Sequence, residues 1–274
     1  MGSVSATFEA NASAAGTGAT LTSGGARAAI GLRLARWHYF YALDRHLPPR
    51  GGLLEFGCGG PSSWVASRFQ TVGLDLSWSS ARNASAVFGA GVQADVSRLP
   101  FSSGHFDGVA SSFVLEHLPR AIASPALTEI HRVLAPGGKL ICLCDLDCDH
   151  PMLAGLRRFW PAGYREAYVD IPGHHGLVRE HAWSDLLVEH GFKVVEWNLV
   201  SRFPLLDHCV VVHMDSTPHF PAPVRAVGRL GRRLTEVSSA VAPLWDASVV
   251  LCDTLARHAL PKRWAYRLLF VAQK

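Results

Sequence analysis

Three short segments, each carrying a carboxylate, hold most of the chemistry legible in this chain. LLEFGCGG at Leu53 to Gly60 is an apolar run that closes on Glu55 and a glycine cluster; TVGLDLS follows with Asp75, and VQADVSRLPF with Asp95. A strand that runs straight into a Gly-rich turn lets the backbone approach a ligand closely, and a carboxylate about 20 residues further on can hydrogen-bond a ribose diol. The layout is that of a nucleoside site on an α/β sheet. Pro61 stands where a dinucleotide fingerprint needs a small flexible residue, so a pyrophosphate is poorly served. A nucleoside with an amino-acid tail makes no such demand.

The elements that must position these residues follow from the pattern. Short apolar runs at 53–56, 71–75, 91–94, 106–111 and 138–145 alternate with helical stretches, then a helix and a sixth strand fill 180–201, and Ala265 to Ala272 reads as a final strand. Strands alternating with helices imply βαβ units and a mostly parallel sheet. Residues 1–25 are rich in Ala, Gly, Ser and Thr without periodicity and are expected to be a disordered tail, ahead of one domain over 26–274. Within that domain a helix is expected over 26–47, bearing the aromatic patch Trp37 to Tyr41 and stopped by Pro48, Pro49, Gly51 and Gly52. The nucleoside-binding core spans 50–145, an irregular insert rich in His, Pro and aromatics spans 146–179, and a basic helical insert interrupted at Pro243 spans 204–262.

Composition excludes several classes. With 274 residues, 49% hydrophobic and 18% charged, the chain can bury a large core and is not a disordered protein. No apolar run reaches the roughly 18 residues of a transmembrane helix, and the N-terminus lacks a basic region followed by an apolar core, so a cytoplasmic location is expected. Of the six cysteines, Cys142 and Cys144 fall at alternating positions in an expected buried strand, which reads as reduced thiols. The charge of +4 gives no continuous basic stripe for nucleic acid, although residues 222–274 hold nine Lys or Arg against three Asp or Glu. A basic amphipathic helix there can cap a lipophilic pocket, pack on the sheet edge, or make peripheral contact with an anionic membrane.

EFGCGG, GLDLS, ADVSRLPF, FDGVASSFVLEHL at Phe106 to Leu118 and EIHRVLAPGGKLIC at Glu129 to Cys142 together resemble the class I S-adenosylmethionine-dependent methyltransferases, nearest the branch of the ubiquinone and menaquinone C-methyltransferases. Five motifs in order, covering about residues 50 to 145, carry the resemblance. It implies a Rossmann-like, mostly parallel seven-stranded sheet with helices on both faces, S-adenosylmethionine as cofactor, and a small-molecule substrate. On that footing Glu55 faces the methionine ammonium, Gly57 and Gly59 let the chain pass the ligand, and Asp75 accepts both ribose hydroxyls. Asp95 accepts from the adenine amine with Val96 lending a backbone N–H, Leu76 and Phe113 sandwich the adenosyl group, and Ser111 joins the cofactor set. Each Asp has an ordinary alternative as a strand-end turn residue.

Methyl transfer from a sulfonium is an in-line displacement, so the protein mainly aligns and desolvates, with a base where the acceptor must lose a proton. His117 in VLEHL is the leading candidate base, because its unperturbed pKa suits neutral pH, and Asp145 sits at the mouth of the fifth strand, where open α/β sheets place substrate. Tyr39, Trp160, Tyr164, His174 and His175 are expected to line the substrate pocket, beside an apolar or aromatic metabolite or natural-product intermediate of secondary metabolism. Cys144, Cys148, His150, His174 and His175 lack the paired spacing of a zinc site, so no metal is expected. The rival readings are a non-methylating reaction on the same fold, such as a cyclisation, and a non-catalytic binding protein.

Overall fold

The computed structural model describes residues 36–204, 211, 213–237, 241–256 and 258–274; the expected tail and the start of the expected N-terminal helix lie outside them. From Trp37 the chain forms α1 (Trp37–His46), β1 (Gly52–Phe56), α2 (Ser63–Arg68), β2 (Gln70–Asp75), α3 (Trp78–Phe88), β3 (Gly91–Gln93) and β4 (Phe106–Ser112). After a 3₁₀ turn at Leu115–His117 come α4 (Arg120–Val133), β5 (Leu134–Asp145), α5 (Pro151–Phe159), α6 (Pro161–Arg165), a π turn at Glu166–Asp170, α7 (Glu180–Glu189) and β6 (Lys193–Val200). Then follow α8 (Ala222–Val237), α9 (Val241–Ala256) and β7 (Arg267–Gln273).

The sheet has seven strands in the order β3-β2-β1-β4-β5-β7-β6. β3 through β5 are parallel, while β7 runs antiparallel between β5 and β6. Both faces are covered, which is why the inner strands read as continuous apolar runs. The two-residue period is visible in the packing: Leu140, Cys142 and Cys144 of β5 join Leu268, Phe270 and Ala272 of β7 in the layer beneath α4 and α7. Ile141 and Leu143 join Leu269 and Val271 in the opposite layer, with Tyr39, Phe40 and Leu43 of α1.

Two expectations are corrected here. β5 begins at Leu134 rather than 138: APGGKL is a bulge inside the strand, where pairing jumps from Phe106 with Leu134 to Gly108 with Lys139, and Gly137 takes a φ of 79°. The insert over 146–179 is not irregular, because Pro151 and Pro161 each occupy the first turn of a helix, where a missing N–H costs nothing. The helical stretch is divided near the expected place, into α8 and α9, with Pro243 in the first turn of α9.

The second insert is part of the body of the protein. Val211, Met214, Phe220 and Trp245 pack with Leu153, Tyr168 and Tyr266 in a third apolar cluster, over the end of the sheet. Asp253 of α9, 3% exposed, accepts the backbone N–H groups of Ser201, Arg202 and Phe203 just beyond β6. No helix among the described residues is long and apolar enough to cross a membrane. Because Asp253 satisfies three partly buried donors at once, Asp253→Ala is expected to lower stability by roughly 2–3 kcal/mol in chemical denaturation.

Candidate cofactor and acceptor site

The parallel strands bring their carboxyl ends to one edge, and the acidic residues stand along it in the order of the strands. Glu55 closes β1 and Asp75 closes β2, while Asp95 follows β3. Gly57 N donates to Leu74 O at 2.8 Å, and Ala94 N to Asp75 O at 3.1 Å, so the three loops are stitched together.

Glu55 is 5% exposed and accepts from Tyr39 Oη at 3.0 Å, while its Oε2 is buried without a hydrogen-bond partner. Burial pushes its pKa up, and the charge of Arg36 and the Tyr39 hydroxyl pull it back down. Tyr39 itself has no exposed surface. It therefore holds Glu55 from beneath rather than lining a substrate pocket.

Asp75 and Asp95 realise the turn geometry. Ser77 N donates to Asp75 Oδ1 at 2.9 Å, and Ser97 N and Oγ both donate to Asp95 Oδ1 at 2.8 Å. Oδ1 of each carboxylate makes the turn. Burial raises the pKa of Asp75.

Gly57 has φ 66°, and a Cβ there would lie 2.3 Å from Val114 Cγ2, so the glycine is demanded by the chain after β4. Gly59 is exposed on the loop, where a Cβ would come 4.0 Å from Asp75 Oδ2. Leu76 is exposed and Val96 buried at the same edge. Ser111 lies inside the sheet, its hydroxyl 3.4 Å from Cys142 Sγ. Phe113 takes φ 60°, a conformation costly for a non-glycine residue, with its N–H held on Leu143 O at 2.7 Å. Its ring lies under two guanidinium groups, Arg36 at 5.9 Å and Arg267 at 4.8 Å.

On the acceptor side Asp145 is not an open base: buried, it pairs with Arg267 Nε at 3.1 Å. Asp147 is held by Arg157 at 2.8 Å and Arg179 at 3.3 Å. His117 donates from Nδ1 to Gly173 O at 3.0 Å and lies 5.0 Å, ring to ring, from His174. Tyr164 and the buried Tyr168 stand 5.5 Å apart, and Tyr168 is 5.5 Å from His174. Trp160 is partly buried at the start of α6, whereas His175 points to solvent and leaves the pocket.

The cysteine and histidine group set aside as a zinc candidate is not assembled. Cys144 and Cys148 are buried free thiols with raised pKa values, and His150 bonds the Phe203 carbonyl at 2.9 Å. Arg36, Glu116 and Arg267 were missed by sequence reasoning. Glu116 adjoins the histidine that VLEHL brought forward, but Arg267 arrives from the last strand with no local signal.

The row of acidic residues stands at the carboxyl edge of an α/β sheet of methyltransferase architecture. Residues 54–142 match the family model of a methyltransferase domain. O-methyltransferase resE of Aspergillus sclerotiorum is 28% identical over 208 residues, 70% of each chain. A demethylmenaquinone methyltransferase of Staphylococcus epidermidis is 36% identical over 103 residues, 31% of this chain and 40% of that one. The solved structure of Haemonchus contortus phosphoethanolamine N-methyltransferase 2 in complex with S-adenosyl-L-methionine aligns with a TM-score of 0.53 at 16% identity, over 86% of this chain and 52% of that one. The chain thus spans about two-fifths of the staphylococcal relative and half of the nematode one. Residues 54–142 thus match a methyltransferase domain, and the chain is similar to S-adenosylmethionine-dependent methyltransferases over its sheet.

The Asp145–Arg267 pair is nearly solvent-free, and removing one partner of such a pair strands the other charge. Arg267→Met is expected to cost about 3 kcal/mol or more in equilibrium unfolding, whereas the double change Arg267→Met with Asp145→Leu should recover much of that loss.

Proposed function

We propose that the protein transfers a methyl group from S-adenosylmethionine to a small, apolar or aromatic metabolite. The observation that carries this reading is a pair of complementary orphans at the end of β1: Glu55 Oε2 and Arg36 Nε are both buried without hydrogen-bond partners. An amino-acid tail supplies an ammonium for the first and a carboxylate for the second, so the residues present fit this cofactor. When bound, the cofactor supplies an electrophilic methyl group on a positively charged sulfur.

The chain's residues do the rest by alignment. Glu55 takes the ammonium and Arg36 the carboxylate. Asp75 accepts from the ribose hydroxyls and Asp95 from the adenine amine, with the backbone N–H of Val96 on a ring nitrogen. Leu76 and Phe113 hold the adenosyl group by apolar contact, Gly59 keeps the loop open, and Ser111 supports the strand from within. The methyl then faces the space beyond β4 and β5, where Trp160 and Tyr164 form aromatic walls and Glu116, His117 and His174 form a polar floor. O-methyltransferase resE extends over most of the same fold, which supports a hydroxyl as the accepting group.

Calorimetric titration with S-adenosylmethionine and S-adenosylhomocysteine tests the cofactor site. Micromolar binding is expected for the wild type, weakened at least tenfold in Asp75→Ala and in Glu55→Gln, as loss of a charge-assisted bond implies (about 1.5–3 kcal/mol). A screen of phenolic and other aromatic acceptors by product mass then separates methylation from a rearrangement, whose product has unchanged mass.

A pH series gives a second check. Glu55 must be ionised to hold an ammonium, so cofactor binding weakens as pH falls through its raised pKa. The Tyr39 hydroxyl lowers that pKa. In Tyr39→Phe the carboxyl protonates at higher pH, and the acid limb of the binding curve is expected to move upward; an unmoved limb would detach Glu55 from the ammonium.

A further inference from the structure

α9 is apolar on two sides. One side is buried, with Val249 and Asp253 turned into the body of the protein and Trp245 packed into the third apolar cluster. The other side carries Leu244, Leu251 and Leu255, which are 65%, 59% and 75% exposed. Spacings of seven and four place the three leucines on one helical stripe, with Ser248 between them. Rolling α9 to hide them would pull Asp253 off the backbone N–H groups of Ser201, Arg202 and Phe203, so the stripe is held outward.

The hydroxyls on the exposed side are satisfied within the helix. Ser248 Oγ donates to Leu244 O at 2.7 Å, and Thr254 Oγ1 donates to Val250 O at 2.7 Å. A hydroxyl bonded to the carbonyl four residues back asks nothing of water, so this side can leave water without stranding a donor.

α8 adds apolar surface and positive charge. It packs on the body through glycines: a Cβ on Gly228 would lie 2.4 Å from Asp215 N, and one on Gly231 would lie 3.2 Å from Val211 Cγ1 and 3.8 Å from the Trp245 ring. Val227 and Leu230 are left exposed, as are Arg229 and Arg233 on the same helix. Arg225, Arg229, Arg232 and Arg233 fall within nine residues that hold no Asp or Glu. Asp215 takes Arg229 at 3.7 Å and Arg232 at 3.1 Å. Beyond α9, Lys262 and Arg263 are exposed as well.

We propose that the outward sides of α8 and α9 form a docking surface for an anionic lipid membrane. The leucine stripe enters the apolar boundary while the basic side chains reach the phosphate headgroups, as in interfacial amphipathic helices. The length of α9 sets the mode of contact. Its 16 residues reach about 24 Å, short of the ~30 Å hydrocarbon core, so the helix lies on the membrane rather than across it. The sign of the charge selects this occupant over a second copy of the chain. Residues 222–274 hold nine Lys or Arg against three Asp or Glu, so two such segments repel each other, whereas an anionic surface attracts them. The docking surface uses none of the groups assigned to the cofactor and does not depend on the identity of the methyl acceptor.

The experiment is co-sedimentation of the full-length protein with vesicles of phosphatidylcholine alone and of an equal mixture of phosphatidylcholine and phosphatidylglycerol. Binding to the mixture is expected to be roughly tenfold or more tighter than to phosphatidylcholine, and to weaken as salt is raised. Leu251→Ser combined with Leu255→Ser is expected to weaken it by roughly tenfold or more. Arg233→Gln and Lys262→Gln are each expected to weaken it roughly fivefold. All four positions are exposed, so the variants keep the fold, which circular dichroism checks. Titration with S-adenosylhomocysteine is run in parallel and is expected to be unchanged in the variants, so failure of the docking surface and failure of the cofactor site are read independently. No binding to the anionic vesicles, equal binding to both kinds of vesicle, or binding that the paired leucine variant retains overturns the proposal. So does self-association in light scattering that the paired leucine variant abolishes while vesicles stay unbound, since a second copy of the chain then covers the leucines.

Discussion

Three carboxylates are buried at the carboxyl edge of one sheet, and much of the surrounding structure exists to compensate them. Removing a carboxylate from water costs several kcal/mol even after the protein relaxes around it. The three are compensated to different degrees. Asp145 has a guanidinium from β7 against it. Glu55 has one hydroxyl, the field of Arg36 and one oxygen left over. Glu116 has two oxygens left over. Asp145 is the most fully compensated of the three, and Glu55 and Glu116 keep oxygens without a hydrogen-bond partner.

The fold tolerates this arrangement because the sheet beneath is buried on both faces. Alternate residues of β5 and β7 feed two separate apolar layers, so the strand ends are fixed from both sides before any charged group is considered. The antiparallel insertion of β7 between β5 and β6 has a chemical consequence. It pairs Asp145 with Arg267 in register, which is how a residue from the end of the chain comes to stand beside the motif residues of its middle.

What was legible in the sequence was local. The strands, their order of appearance and the acidic residues at their ends all rest on short apolar runs closed by turn residues, and the structure has them within a few positions. The turn and ligand readings of Asp75 and Asp95, which looked like alternatives, are compatible because one oxygen suffices for the turn. What failed was non-local. Tyr39 belongs to an aromatic patch that pattern alone could not orient, and the structure turns it under Glu55. Asp145 read as an open carboxylate because its partner lies more than a hundred residues away. The insert over 146–179 read as irregular, although two of its prolines, Pro151 and Pro161, each stand in the first turn of a helix.

The glycine cluster shows how the two halves of the site are joined. Gly57 was read as making room for a ligand, yet the atom nearest its absent Cβ belongs to Val114. Val114 follows Phe113, whose left-handed backbone turns the chain over the cofactor edge, and precedes the 3₁₀ turn that carries Glu116 and His117. A side chain at Gly57 would therefore push on the segment that holds Phe113 on one side and the Glu116 cluster on the other. The tight turn after β1 and the VLEHL turn after β4 are one packing unit. Any displacement of the turn after β1 is therefore transmitted by that contact to the turn that carries Glu116 and His117.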